Sequence, residues 1–297
     1  MSVSPQAAPS LADVVTALER RYPPGTAQEW DAVGLVTGDP AEPVRRVLFA
    51  VDPVAAVADE AVAWGADLLV THHPLLLRGV HSVAATTFKG ALVHRLIRAG
   101  VALWTGHTNA DAAAGGVAEA LAEAIGLVDL VPLVPLLSAA GAPGETGLGR
   151  IGRLATAQRL DEFAANVAAA IPDTVQGVRY AGDAGLVVRR VAVLAGAGDS
   201  EFEAVRSAGV DAYVTSDLRH HPASEARERA LFEGRGTPAL VDTAHFASEW
   251  PWLARAARRL VADLAAAGTT VEARVSTLCT DPWTARVGGP PDRKDSV

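Results

Sequence analysis

Three short apolar runs, Asp67-Leu68-Leu69-Val70, Val101-Ala102-Leu103-Trp104 and Pro238-Ala239-Leu240-Val241, each lead into a segment rich in metal-ligand chemistry. The first opens on His72-His73, the second on His107 with Asp111, the third on His245 with Glu249. Each run reads as a strand, and in open α/β sheets ligands bind beyond the carboxyl ends of the strands. A fold that serves this pattern must bring three strand ends, and with them six side chains, to one place.

The rest of the chain alternates in the manner such a fold needs. Helical periodicity covers residues 11–22, 54–64, 88–99 and 116–125, and extended runs cover 46–51, 67–70 and 101–105. Strands separated by helices of this length imply parallel βαβ units. Proline, glycine and small residues break the pattern over residues 128–145. Beyond the break, strands are predicted at 150–154, 175–180, 188–195 and 212–215, and helices at 160–170, 200–207 and 223–232. The short run 239–241 and a long helix over 250–267 come next, and they must carry His245 and Glu249 back toward His72 and Asp111. The expected fold is therefore α/β with two α/β domains, the second inserted into the first, and a metal site in the cleft at the strand C-terminal ends. The boundaries expected are 1–128 plus 237–297 for the metal-binding domain and 129–236 for the insertion.

The donor set specifies the chemistry. Imidazole suits zinc, iron, copper and nickel, and carboxylate extends the range to manganese and magnesium. Taken singly, a histidine is more often a hydrogen-bonded residue than a ligand, and His72-His73-Pro74 alone could be a strand exit. Recurrence at three matching strand ends points instead to a two-metal site. Neighbours on an extended segment face opposite ways, so His72 and His73 are expected to serve one ion each. The spacing of four in His107/Asp111 and His245/Glu249 puts each pair on one side of a helix, and either carboxylate has the two oxygens a bridge requires. Two divalent ions against two carboxylates leave a positive balance, which favours a small anionic or nucleotide substrate.

Composition excludes several other classes. The formal charge of −8 does not suit an extended nucleic-acid-binding face. The one cysteine, Cys279, rules out an intramolecular disulfide framework and a multi-thiolate metal site. The first ten residues lack the basic and apolar regions of a secretory signal, and no uninterrupted apolar stretch reaches membrane-spanning length. A cytoplasmic location is expected. The tail after Thr280, with Gly288, Gly289, Pro290, Pro291 and mixed charge, is expected to be loosely ordered. Gly147-Leu148-Gly149-Arg150 reads as a tight turn rather than a phosphate cradle, because it lacks a downstream GxxG or GK signature.

These residues also carry a family resemblance. Trp30-Asp31-Ala32-Val33-Gly34-Leu35, Thr71-His72-His73-Pro74-Leu75, His107-Thr108-Asn109-Ala110-Asp111, Gly147-Leu148-Gly149-Arg150, Thr215-Ser216-Asp217 and His245-Phe246-Ala247-Ser248-Glu249 occur in that order along nearly the whole chain. In this it resembles the NIF-three-like dinuclear-metal-centre hexameric proteins, which share the label GTP cyclohydrolase I type 2 homologue. It departs from their usual pattern at Ala32, where Asn is common, and at Ser216, where Gly is. The resemblance implies two divalent ions per chain (zinc, iron or manganese), held by His72, His73, Asp111, His245 and Glu249, with Glu249 as the bridge. It implies His107 as a further ligand or as a partner of one, and a homohexamer as the assembly. Some relatives carry an extra central module, and this chain reads as the short form.

The function so implied is that of a metal-dependent hydrolase, cyclohydrolase-like, drawing on metal-activated water. A cyclohydrolase with a Cys-liganded zinc is excluded by the single Cys279. The alternative is a metal-binding protein without turnover: a carrier, an insertion factor or a regulatory scaffold. His220 and His221, a second histidine pair after a strand, are assigned to a cleft wall, with proton donation to substrate as a lesser role. Nucleic-acid binding through the opening of a ring-shaped hexamer is disfavoured by the acidic charge, and no membrane association is expected.

Overall fold

A computed structural model of the chain describes residues 7–137 and 143–287. The first sheet has the order β1-β4-β3-β2-β11. It comprises β1 (Gly34–Thr37), β2 (Arg46–Ala50), β3 (Leu68–Thr71), β4 (Ala102–Thr105) and β11 (Glu272–Val275). Strands β2, β3, β4 and β11 run parallel, and β1 closes one edge antiparallel to β4. The crossovers are α2 (Ala55–Trp64) and α3 (Phe88–Ala99), each ending on a left-handed glycine, Gly65 and Gly100.

The second sheet has the order β5-β6-β8-β9-β10-β7. Its strands are β5 (Leu127–Leu137), β6 (Pro143–Arg159), β7 (Arg179–Ala181), β8 (Val187–Ala197), β9 (Ala212–Ser216) and β10 (Ala239–Thr243). Only β8, β9 and β10 are mutually parallel. Helices α6 (Leu160–Ala170), α7 (Phe202–Ala208) and α8 (His220–Phe232) connect them.

Period-two burial ties the sheets to a shared core. Val47, Phe49, Leu68, Val70, Ala102 and Trp104 face inward from the first sheet, and Val191, Val193, Val214 and Val241 from the second, all within one apolar cluster. Leu48, Leu69 and Leu103 face the other way, onto α2 and α3. Strands buried on both faces are near-continuous apolar runs, which is why the runs before the histidines were legible. Between the sheets lie α1 (Leu11–Arg21), α5 (Val117–Ala124) and α10 (Pro251–Ala266), whose Val14, Leu121, Trp252 and Leu260 belong to the same cluster.

Several expectations are corrected here. β10 belongs to the second sheet, paired between β9 and β7. The chain therefore rejoins the first sheet only after residue 243, through α10 and β11, rather than from residue 237. Residues 127–137 form a strand where a break is predicted, because β5 is an edge strand, where the absent N–H groups of Pro132 and Pro135 cost little. The strand predicted over 175–180 shrinks to the three residues of β7. Of the tail after Thr280, expected to be loosely ordered, residues 281–287 form no helix or strand and residues 288–297 lie outside the described residues, as do residues 1–6 of the N-terminal segment. Among the described residues no helix is long and apolar enough to cross a membrane.

Candidate metal centre

The ends of β3, β4 and β10 converge as the three motifs require. His72 and His73 come directly after β3. His107 caps α4 (Thr108–Ala112), which carries Asp111, and α9 (His245–Glu249) begins and ends on its two candidate ligands. Glu249 is the centre of the group. Its Oε1 lies 2.9 Å from His245 Nε2 and 3.3 Å from His72 Nε2, and its Oε2 lies 3.1 Å from His73 Nε2. Asp111 Oδ1 is further out, 3.8 Å from His72 Nε2. The tightest donor groups are His72, His73 and His107, and His73, His245 and Glu249, with His73 common to both. The chain bends after Thr71, so the two adjacent histidines face the same carboxylate, their ring centroids 5.0 Å apart. Strand alternation does not separate them as expected.

Each of the four imidazoles is held from behind through Nδ1. His72 Nδ1 meets the Gly106 carbonyl at 2.8 Å, His73 meets Asp52 at 2.6 Å, His107 meets Asp31 at 2.8 Å and His245 meets Asp217 at 2.7 Å. A carbonyl or ionised carboxylate only accepts, so Nδ1 is the donor and the Nε2 lone pair of a neutral ring points inward. Metal-binding histidines are oriented in this way by outer acceptors. Asp31, Asp52 and Asp217 were not singled out as His partners from sequence. The signal was available: Asp52 and Asp217 lie one or two residues past β2 and β9, as the ligands lie just past their own strands.

Further bonds fix this outer frame. Asp31 also accepts from the backbone and hydroxyl of Thr108, and its side chain is fully buried. Asn109 accepts from the His107 N–H and donates to the Tyr22 carbonyl, tying the motif to α1. Thr280 donates to Asp52. Gly196, at φ +72°, brings the C-terminal end of β8 so close that a Cβ there would stand 2.6 Å from Glu249 Oε1.

The electrostatics arise from burial and charge. Burial opposes the charge on His73, but the Glu249 carboxylate and the Asp52 bond outweigh it and push the ring up to about 10. His245 is pushed up to about 11, against burial, by Glu249 and Asp217. His72 is raised as well, against complete burial, by Glu249 and Asp111. Glu249 is held well below the ordinary carboxylate range, its own burial overcome by the histidines around it. Asp111 is raised by burial.

Two buried atoms at the centre, His72 Nε2 and Glu249 Oε2, have no hydrogen-bond partner. Orphaned buried polar atoms are costly, and inward-facing imidazole nitrogens with a central carboxylate are a donor set that divalent metals satisfy. These residues could hold metal ions, and the fit is good.

Beside the cluster lies a cavity of about 580 Å³, walled by His107, Asp111, His245 and Glu249 on one side and by Trp30, Leu148, Gly149 and Leu194 on others. Residues 147–150, expected from sequence as a tight turn, instead lie within β6, paired with β5, and Leu148 and Gly149 form part of this wall. Gly147 and Gly149 both have positive φ, and Arg150 turns inward. Its guanidinium, almost fully buried, donates to the carbonyls of Gly147, Gly149 and Ala113 at 2.7–2.8 Å and lies 3.5 Å from Glu119. It thereby clamps the cavity wall to the turn that ends the Asp111 helix. Arg150→Met should leave those carbonyls unpaired and cost on the order of 3 kcal/mol. A urea denaturation midpoint lowered at unchanged slope checks this, and an unchanged midpoint refutes it.

His220 and His221 are not brought to the cluster. They open α8, exposed, with their rings edge to face at 5.2 Å, and neither lines this cavity.

Comparisons with known proteins show what the chain as a whole is similar to. Residues 9–282 match the family Duf34/NIF3 (NGG1p interacting factor 3). The GTP cyclohydrolase 1 type 2 homolog of Streptomyces coelicolor is 50% identical over 283 residues, covering 95% of this chain and 96% of that protein. The homolog of Mycobacterium tuberculosis is 38% identical across 92% of this chain and 96% of its own length. That alignment spans 375 positions against a chain of 297 residues, so the mycobacterial protein carries sequence this one lacks. A solved Bacillus cereus protein related to NIF3 superposes with a TM-score of 0.82 at 25% identity, covering 93% of this chain and 99% of that one.

Proposed function

The chain belongs to the Duf34/NIF3 family, and from that premise we propose that it is a dinuclear divalent-metal protein that acts as a metal-dependent hydrolase, cyclohydrolase-like in chemistry. The observation that carries the reading is the buried Glu249, ringed by three inward-facing imidazoles and opening directly onto a cavity. His72, His73, His107, Asp111, His245 and Glu249 would hold the ions, with Glu249 between them. When bound, divalent ions supply Lewis acidity, which acidifies water and polarises a carbonyl or phosphoryl group.

The chain's own residues do the rest. Asp31, Asp52, Asp217 and the Gly106 carbonyl hold each ring in the tautomer that presents Nε2. Asp111 and His107 stand on the cavity wall, where they meet whatever enters. Zinc, iron and manganese all suit this donor set. Homohexameric assembly and a cytoplasmic location, implied by the resemblance, belong to the same proposal.

The test is turnover. Metal-loaded protein is incubated with GTP, other nucleotides, phosphate esters and cyclic amides, with Asp111→Asn as control and metal content measured in both. We expect hydrolysis that requires metal and rises through about pH 7. No turnover above the control with filled sites would leave the carrier, insertion-factor or scaffold reading in its place.

A further inference from the structure

The cavity beside the cluster carries a signature of its own. Trp30 stands at its wall with 59% of its surface exposed, while Trp104 and Trp252 are fully buried in the core. An indole left open to solvent keeps an apolar face to cover. Its place is set by its neighbours: the Asp31 carboxylate is locked by His107, Thr108 and Ala32, and the Trp30 ring meets the His107 ring edge to face at 5.8 Å. The platform is therefore fixed relative to the metal ligands.

The other walls match a flat ligand. Leu148 and Leu194 supply apolar surface, and Gly149 and Gly196 leave bare backbone between them. A Cβ at Gly149 would stand 2.9 Å from the Val193 carbonyl. The polar lining away from the cluster is Gln28, Ser200 and Glu201. Glu201, when ionised, accepts hydrogen bonds and suits the N–H edge of a heterocycle, whereas it repels phosphate. Among the described residues no lysine or arginine lines the cavity, although polyphosphate sites rely on such cations.

We propose that this cavity takes an uncharged planar heteroaromatic ring, a nucleobase presented as such or as its nucleoside, stacked on Trp30 with its reacting edge toward the histidine cluster, and that it offers a triphosphate no site of its own. The inference rests on the reading of the cluster as a metal centre. It narrows the substrate class and departs from the triphosphate that the relatives' name suggests.

The experiment is isothermal titration of the full-length, metal-loaded protein with the four ribonucleosides and their four triphosphates, alongside Trp30→Ala, Trp30→Phe and Glu201→Gln, with metal content measured for each. At least one nucleoside should bind, and its triphosphate should bind no tighter. Trp30→Ala should weaken that nucleoside by at least about tenfold, and Trp30→Phe by no more than about threefold, because stacking needs only an aromatic face. Glu201→Gln should improve the triphosphate relative to the nucleoside. The proposal is overturned if a triphosphate binds about tenfold or more tighter than its nucleoside with a steep salt dependence. It is also overturned if Trp30→Ala keeps full affinity, or if no nucleoside binds while the metals are retained. Failure of the wild-type protein to hold metal is read separately in the metal analysis, and it would remove the metal centre itself.

Discussion

Glu249→Gln is expected to strip the chain of its metal, lowering affinity by more than about a hundredfold, the upper end of what outer-shell changes produce. The size of the effect comes from its position. Each Glu249 oxygen faces at least one imidazole nitrogen at 2.9–3.3 Å, the side chain is almost fully buried, and Oε2 has no other hydrogen-bond partner. Glutamine keeps the shape, removes the charge and turns two N–H donors toward nitrogen atoms that need acceptors or metal. Asp31→Asn, Asp52→Asn and Asp217→Asn each loosen one ring and should cost about 10- to 100-fold. Competition with a chromophoric chelator, together with elemental analysis, gives the ranking. Full metal retention by Glu249→Gln would remove it from the centre.

That ranking also marks what sequence could and could not reveal. The six candidate ligands were legible because buried parallel strands read as apolar runs, and residues just beyond such a run stand at the ligand-binding edge. The outer carboxylates were harder. Asp52 and Asp217 make their bonds to His73 and His245 across 21 and 28 residues of chain, so no local period links donor and acceptor. β10 carried no mark of its sheet, because Ala239, Leu240 and Val241 would suit the centre of either one. The strand β5 was hidden by prolines that only an edge position tolerates, and it is an edge because its one partner, β6, gives its other side to β8, a pairing no local pattern announces. The helical spacing of four, by contrast, is local, and His245 and Glu249 meet across one turn of α9 as the spacing requires.

The pH dependence of metal binding should be steep, because protons and metal compete for the same nitrogen atoms. His73 and His245, pushed up to about 10 and about 11 when no metal is bound, both carry protons at pH 7, and both must lose them to serve as ligands. Two protons displaced per loading event raise the apparent affinity by about a hundredfold per pH unit between about pH 7 and 10. His72, also raised, adds to this.

The metal-free fold has the opposite dependence. A raised histidine contributes stability that is complete below its unfolded value of 6.5 and is lost as pH rises through about 10 to 11. The depressed Glu249 contributes stability present above 4.5 and lost as pH falls through its lowered folded value. Without metal the cluster therefore stabilises the fold most between about pH 4.5 and 6.5. Metal stabilises in proportion to its occupancy, which grows as the rings deprotonate, so loading should move the stability optimum to higher pH. Thermal melts across pH with chelator and with zinc would show the shift, and titration calorimetry in buffers of different ionisation enthalpy would count the protons. Parallel melting profiles with no proton release would mean that the metal binds elsewhere than on His73 and His245.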